Sequence, residues 1–119
     1  EQVEPFGPKK MVDMTIVSPC TGNTLSKIAN GIVDTPVAMA VKSTLRNHRP
    51  VLLAVSTNDG LGIGARNLGA LMAMRGIYFV PFGQDDPIKK PQSLVAHFDR
   101  LVDAARAALN GEQLQPLLI

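Results

Sequence analysis

From Val51 to Val55 every side chain is apolar, with Pro50 before the run and Ser56 after it. A strand with one wet face alternates apolar and polar residues, so a short run without alternation fits a strand covered on both faces, as in a parallel sheet. A chain that must bury such a strand needs helices on either side of it, which narrows the choice to layered α/β architectures.

The flanking pattern agrees. Residues 13–18 are a second β-favouring run stopped by Pro19, and residues 77–82 a third, in which Pro81 is tolerable only at the end or on an edge. Leu25, Ile28, Ala29 and Ile32 recur at helical spacing behind Asn23 and Thr24 as candidate caps, with a break near Gly31. Thr35 and Pro36 supply an N-cap with proline at the first helical position, and Val37, Val41 and Leu45 make a stripe ending at Asn47. A glycine-rich turn over 57–64 leads into a helix over about 66–75 that presents Leu68, Leu71 and Met72 to the core and closes at Gly76. After a polar loop over 83–91, Leu94, Phe98, Leu101, Val102, Ala105 and Leu109 predict one long amphipathic helix ended by Asn110 and Gly111.

Strands alternating with helices predict a parallel sheet with right-handed crossovers and helices on both faces, a flavodoxin-like or Rossmann-like three-layer α/β fold. At 119 residues the chain is expected to form a single domain over 1–119. Three strands would leave apolar edges and one poorly covered face, so the expectation is that an amino-terminal part of the molecule is missing. Residues 1–10 begin without Met, carry no apolar stretch and read as a connecting loop, while 112–119 read as a tail.

Charge and cysteine usage exclude several classes. A formal net charge of +2 with dispersed Lys and Arg gives no nucleic-acid surface, and the pairs Lys9 and Lys10, Lys89 and Lys90 read as solvated loop residues. No segment approaches the roughly eighteen apolar residues of a membrane span. Cys20 is the single cysteine, so no internal disulfide can form, and with two His it cannot close a structural zinc site without several carboxylates; no metal site is expected. A soluble, cytoplasmic protein is the expectation.

In open parallel sheets ligands bind beyond the carboxyl ends of the strands, which directs attention to the turns after Ser18, Ser56 and Phe82. The first turn holds Pro19, Cys20, Thr21, Gly22, Asn23 and Thr24, where helix-start amides, hydroxyls and an amide side chain can receive an anion or a carbonyl, or where Thr21 or Asn23 simply caps the helix. The second contains Gly60, Gly62 and Ala65 at the spacing of a dinucleotide fingerprint variant, but Thr57, Asn58 and Asp59 intervene between strand and first glycine and add a negative charge; a glycine-permitted turn explains it equally. Asp85 and Asp86 read as a solvated pair rather than acid-base catalysts, and His48 and His97 as surface residues without triad partners.

Two stretches go beyond generic α/β patterning: residues 19–34, opening with Pro19, Cys20, Thr21, Gly22 and Asn23, and residues 47–59, ending in Ser56, Thr57, Asn58 and Asp59. The first resembles the signature of the flavin-containing cysteine-decarboxylase superfamily. With residues 82–91 and 113–117 added, the chain resembles the dipicolinate synthase B-subunit family within it. That resemblance implies a flavodoxin-like sheet binding FMN, the phosphate being held by a loop outside this chain. It implies that Pro19, Thr21, Gly22, Asn23, Thr24, Ser56, Thr57 and Asn58 form the isoalloxazine side of the site, with Asn23 on a substrate carboxylate and Cys20 either a proton donor or a small buried thiol. It also implies oxidation of the dicarboxylate dihydrodipicolinate to dipicolinate during sporulation, a nicotinamide-binding A subunit as partner, and homo-oligomers. Arg46 or Arg49 is a candidate for a second carboxylate. Relatives that decarboxylate peptidyl cysteines carry proline, alanine, methionine and asparagine where this chain has Ser56 to Asp59, which argues against that activity; a noncatalytic scaffold for the A subunit is a further alternative.

Overall fold

The structure is a computed structural model that describes residues 13–119. The expectation of a connecting loop over 1–10 lies outside the described residues.

The element order is β1 (Thr15–Thr21), α1 (Gly22–Ala29), α2 (Pro36–Arg46), β2 (Val51–Thr57), α3 (Ala65–Met72), β3 (Ile77–Phe79), β4 (Phe82–Gly83), β5 (Leu94–Ala96), a 3-10 turn (Phe98–Arg100) and α4 (Leu101–Leu109). β2 is the spine, fully buried from Val51 through Val55 as its unbroken apolar run requires. Its side chains alternate between two cores. Val51, Leu53 and Val55 join Leu25, Val37, Val41, Leu68 and Leu71 beneath α1, α2 and α3. Leu52 and Ala54 join Val80, Ala96 and Ala104 beneath α4. The result is the expected three-layer α/β arrangement, helices on both faces of one sheet.

The sheet is mixed. β2 pairs in parallel with β1 on one side and with β3 on the other, while beyond β3 the same side of β2 is taken by antiparallel β5, which in turn pairs with antiparallel β4. β1 does not stop at Pro19: the register shifts between Val17 and Cys20, where proline has no amide hydrogen to give the ladder, and pairing resumes with Cys20 opposite Val55 and Thr21 opposite Ser56.

The single long helix expected from Leu94 is corrected. Residues 94–96 form a strand with Leu94 and Ala96 buried, and helix begins only after the turn at Phe98, whose ring is half-exposed. Three apolar residues satisfy a period of two as well as a helical one, and the unpaired backbone of Ser56 and Thr57 on β2 decides the matter by pairing with Val95 and Leu94. Met72, expected in the core, lies exposed on α3.

The shorter helices follow their sequence signals. Thr35 Oγ1 accepts from the Ala38 amide with Pro36 next in line, and Thr21 Oγ1 accepts from the Thr24 amide, making Thr21 the cap of α1. Residues 112–119 are not a loose tail. The Gln113 side chain accepts from the Phe79 amide at 2.8 Å and donates to the Phe79 carbonyl at 2.7 Å, occupying the open edge of β3 as a strand would. Further on, the Phe82 amide donates to Leu117 and the Ile119 amide donates to Phe82. No helix among the described residues is long and apolar enough to cross a membrane.

Candidate functional site

Strand register builds the site. Thr21 lies opposite Ser56 across the β1–β2 ladder, Ser56 lies opposite Val95, and Val95 lies opposite Gly83, so one row of residues crosses the carboxyl rim of the central strands. Each of the first two strands then turns away from this row through its polar segment. Both turns open onto one cavity of about 500 Å3, in which Asn23 and Asn58 take part together with Thr21, Gly22, Ser56 and Thr57.

The turns touch because residue 22 is glycine. A β-carbon there would stand 2.7 Å from Thr57 Oγ1, closer than real β-carbons approach, so no other residue permits this spacing without displacement. Thr57 is held in turn: its hydroxyl donates to Asp59 Oδ1 at 2.6 Å, and the Asp59 amide donates back to Thr57 Oγ1. The Asp59 carbonyl accepts from the amides of Gly62 and Gly64, which are therefore spent on closing the turn before α3. With those amides used and a carboxylate beside them, the glycine spacing over 60–65 serves turn geometry and is a poor cradle for a pyrophosphate.

A third segment, reached through the turn after Phe82 to which strand-end position directs attention, completes the cavity. Asp85, Lys90, Ser93, Leu94 and Val95 line it from the loop over 84–93 and from β5. Ser93 is buried and its hydroxyl donates to the Thr57 carbonyl at 3.3 Å. The adjacent Ser93 side chain, nearby backbone amides and the Lys90 ammonium hold the Asp85 carboxyl below the usual carboxylate range. Lys90 Nζ stands 4.0 Å from Asp85 Oδ2. What helical periodicity concealed is the strand Leu94–Ala96, whose β-favouring Leu94 and Val95 return this loop to the rim of β2.

The structure divides the residues anticipated from sequence. Thr21, Gly22, Asn23, Ser56, Thr57 and Asn58 line the cavity together. Pro19 and Thr24 do not line it, and Thr24 is engaged with the Thr21 cap. Cys20 is fully buried in the apolar cluster beneath α1, away from the cavity lining, because its side chain alternates to the opposite face from its neighbours on β1. Its surroundings are those of a small apolar side chain in a core. Arg49 lines a different hollow with His48, Arg75 and Tyr78 at the amino ends of the strands, and Arg46 lies on α2 beside Val33 and Met39. Neither arginine lines the cavity, so the cation present at the rim is Lys90. His97 lies outside the lining as well.

The arrangement offers side chains that both donate and accept, from Asn23, Asn58, Thr21 and Ser56, around a space open on one side. A flat heteroaromatic ring with alternating carbonyls and ring nitrogens fits that chemistry.

The Flavoprotein family model matches residues 1–109. The chain is similar to the B subunit of dipicolinate synthase from Bacillus subtilis (strain 168), 52% identical over 118 residues, covering 99% of this chain and 59% of that protein. A shorter similarity, 46% identity over 55 residues, relates 45% of this chain to 13% of the Coenzyme A biosynthesis bifunctional protein CoaBC of Thermococcus kodakarensis. Among solved structures, the crystal structure of the dipicolinate synthase B subunit from Bacillus halodurans superposes with a TM-score of 0.93 at 52% identity, over 98% of this chain and 60% of that one. The chain thus spans about three-fifths of the length of these two B subunits.

Proposed function

This chain belongs to the Flavoprotein family, and from that premise we propose that it supplies the isoalloxazine side of an FMN site in the flavin-binding subunit of a dipicolinate synthase. The observation that carries the reading is the meeting of the segments 21–23 and 56–59 at one cavity, in a chain 52% identical to two dipicolinate synthase B subunits. The residues that would hold the ring are Thr21, Gly22, Asn23, Ser56, Thr57 and Asn58. Bound there, the flavin supplies a two-electron acceptor for oxidation of a dihydroaromatic ring.

The reaction proposed is oxidation of dihydrodipicolinate to dipicolinate, in the cytosol of a sporulating cell, with an A subunit as partner and with homo-oligomeric assembly. The chain's own residues then have three tasks. Asn23 donates its side-chain amide to a substrate carboxylate. Asp59 accepts the proton that accompanies loss of the hydride equivalent, one of its oxygens being fixed by the Thr57 hydroxyl at 2.6 Å. Leu94 and Val95 form an apolar wall of the cavity and limit water at the ring. The second reading is flavin-dependent decarboxylation of a cysteinyl substrate, the activity that the resemblance of residues 19–34 implies and that the residues Ser56 to Asp59 argue against.

The test is the absorption spectrum of the purified full-length protein, followed by dipicolinate formation with the A subunit. Bound FMN in the parent, its loss in N23A and N58A, and a parallel loss of dipicolinate support the reading. A flavin-free variant that still supports full dipicolinate formation would establish a scaffold instead, and carbon dioxide release from a cysteinyl substrate would establish the decarboxylase.

A further inference from the structure

We propose that Lys90 is the specificity residue of this cavity, selecting a ligand with a second carboxylate, and that Asp85 positions it. The inference takes from the preceding reading only the substrate class, an aromatic or dihydroaromatic dicarboxylate.

The backbone around Lys90 is fixed from several directions. Its amide donates to the Asp86 carbonyl at 2.8 Å, its carbonyl accepts from the Ser93 amide at 3.1 Å, and Gln84 Nε2 closes the loop on the Pro91 carbonyl at 2.9 Å. The Leu61 amide donates to the Gln92 carbonyl at 2.9 Å, tying this loop to the turn that follows β2. A loop stapled both to itself and to the opposite wall fixes the backbone of residue 90 at the mouth of the cavity.

The ammonium is held but not consumed. At 4.0 Å from Asp85 Oδ2 it is at the outer limit of an ion pair, and the side chain remains 63% exposed, so its three donors stay available to an incoming anion. The Asp85 carboxyl lies below the usual carboxylate range, so at neutral pH it faces the ammonium as a carboxylate. The Ser93 hydroxyl, on the same loop, donates to the Thr57 carbonyl at the floor of the cavity.

Lys90 is the attractive charge that a carboxylate meets at this wall. The ionisable side chains lining the cavity are Asp59, Asp85 and Lys90. A ligand bearing two carboxylates meets two protein carboxylates there, and without the ammonium every charge would repel it. Arg46 and Arg49 lie elsewhere, so among the described residues that line the cavity the compensating charge is at position 90. An anion at Lys90 could also be the phosphate of FMN, and the test separates the two.

In the full-length protein, dipicolinate and its monoacid counterpart picolinate are titrated calorimetrically, and FMN and riboflavin are titrated separately. The expected result is a preference for dipicolinate of about tenfold or more in the parent, as one charge-assisted contact supplies. The preference collapses in K90A, survives largely in K90R, and K90A leaves the FMN to riboflavin affinity ratio unchanged. A parent without preference, a preference that persists in K90A, or a K90A variant that weakens FMN but not riboflavin overturns the proposal. A Lys90-dependent preference in a protein that takes up no flavin upholds the assignment of Lys90 and refutes the flavin reading; bound flavin with no such preference does the reverse.

Discussion

Gly22→Ala tests the contact on which the site is built. The added β-carbon would lie 2.7 Å from Thr57 Oγ1 and 3.4 Å from Asp59 Oδ1. Thr57 cannot swing aside freely, because it is buried and its hydroxyl is committed to Asp59 at 2.6 Å. Ordinary contact lies at about 3.5 Å, so the start of α1 and the end of β2 must separate by roughly 0.8 Å or the Thr57 bond must break. Overpacking of this kind costs about 1–3 kcal/mol. Alanine's helical advantage over glycine returns at most about 1 kcal/mol, and less in the first turn. The net expectation is a loss of about 1–2 kcal/mol, which at a urea dependence of about 1–3 kcal/mol per molar lowers the unfolding midpoint by roughly 0.3–2 M. Urea titration of the full-length protein measures it, with flavin retention followed in parallel, since Thr57 and Asp59 line the cavity. T57A removes the obstructing oxygen, so G22A and T57A should couple in a double-mutant cycle by about 1 kcal/mol or more. A G22A protein with an unchanged midpoint, strictly additive with T57A, refutes the claim that the two turns are in contact.

Three further outcomes are expected. Thr44 Oγ1 donates to the Ala40 carbonyl at 2.7 Å, so the 2.6 Å contact with Thr15 must have Thr15 as donor; T44V strands the buried Thr15 hydroxyl at a cost of about 1–3 kcal/mol, and T15V added to it restores much of the loss, as chemical denaturation would show. Asp85 has its pKa lowered below 3.8, chiefly by Ser93, so its contribution to stability is present above the unfolded pKa and is lost as pH falls through the lower folded value. S93A raises the Asp85 pKa toward the ordinary value in a carbon-detected NMR titration, and an unmoved titration curve would break the assigned cause. Cys20, fully buried in the core, should react with a thiol reagent only on unfolding, and C20A should keep its flavin; rapid labelling of the native protein would contradict its placement.

Residue order alone settles the central strand and the layering. Five consecutive apolar residues from Val51 have no stable place other than between two covered faces, and the cap and proline at Thr35 and Pro36 begin α2 whatever surrounds it. Such signals are local, since they depend on a side chain and its near neighbours along the chain. The polar turns after β1 and β2 are equally legible as candidate binding segments. Their meeting is not, because it rests on register between strands 35 residues apart in the pairing of Thr21 with Ser56, and on a glycine whose small size matters only when Thr57 arrives beside it. The same holds for the parts the sequence conceals. Leu94 and Val95 are a strand because Thr57 and Ser56 have backbone groups to pair, and that strand is what carries Lys90 and Asp85 to the cavity while Arg46 and Arg49 stay on other surfaces. Cys20 stands next to the site in sequence and outside it in space, since alternation along a strand sends neighbouring side chains to opposite faces, and only the assembled sheet decides which face is core.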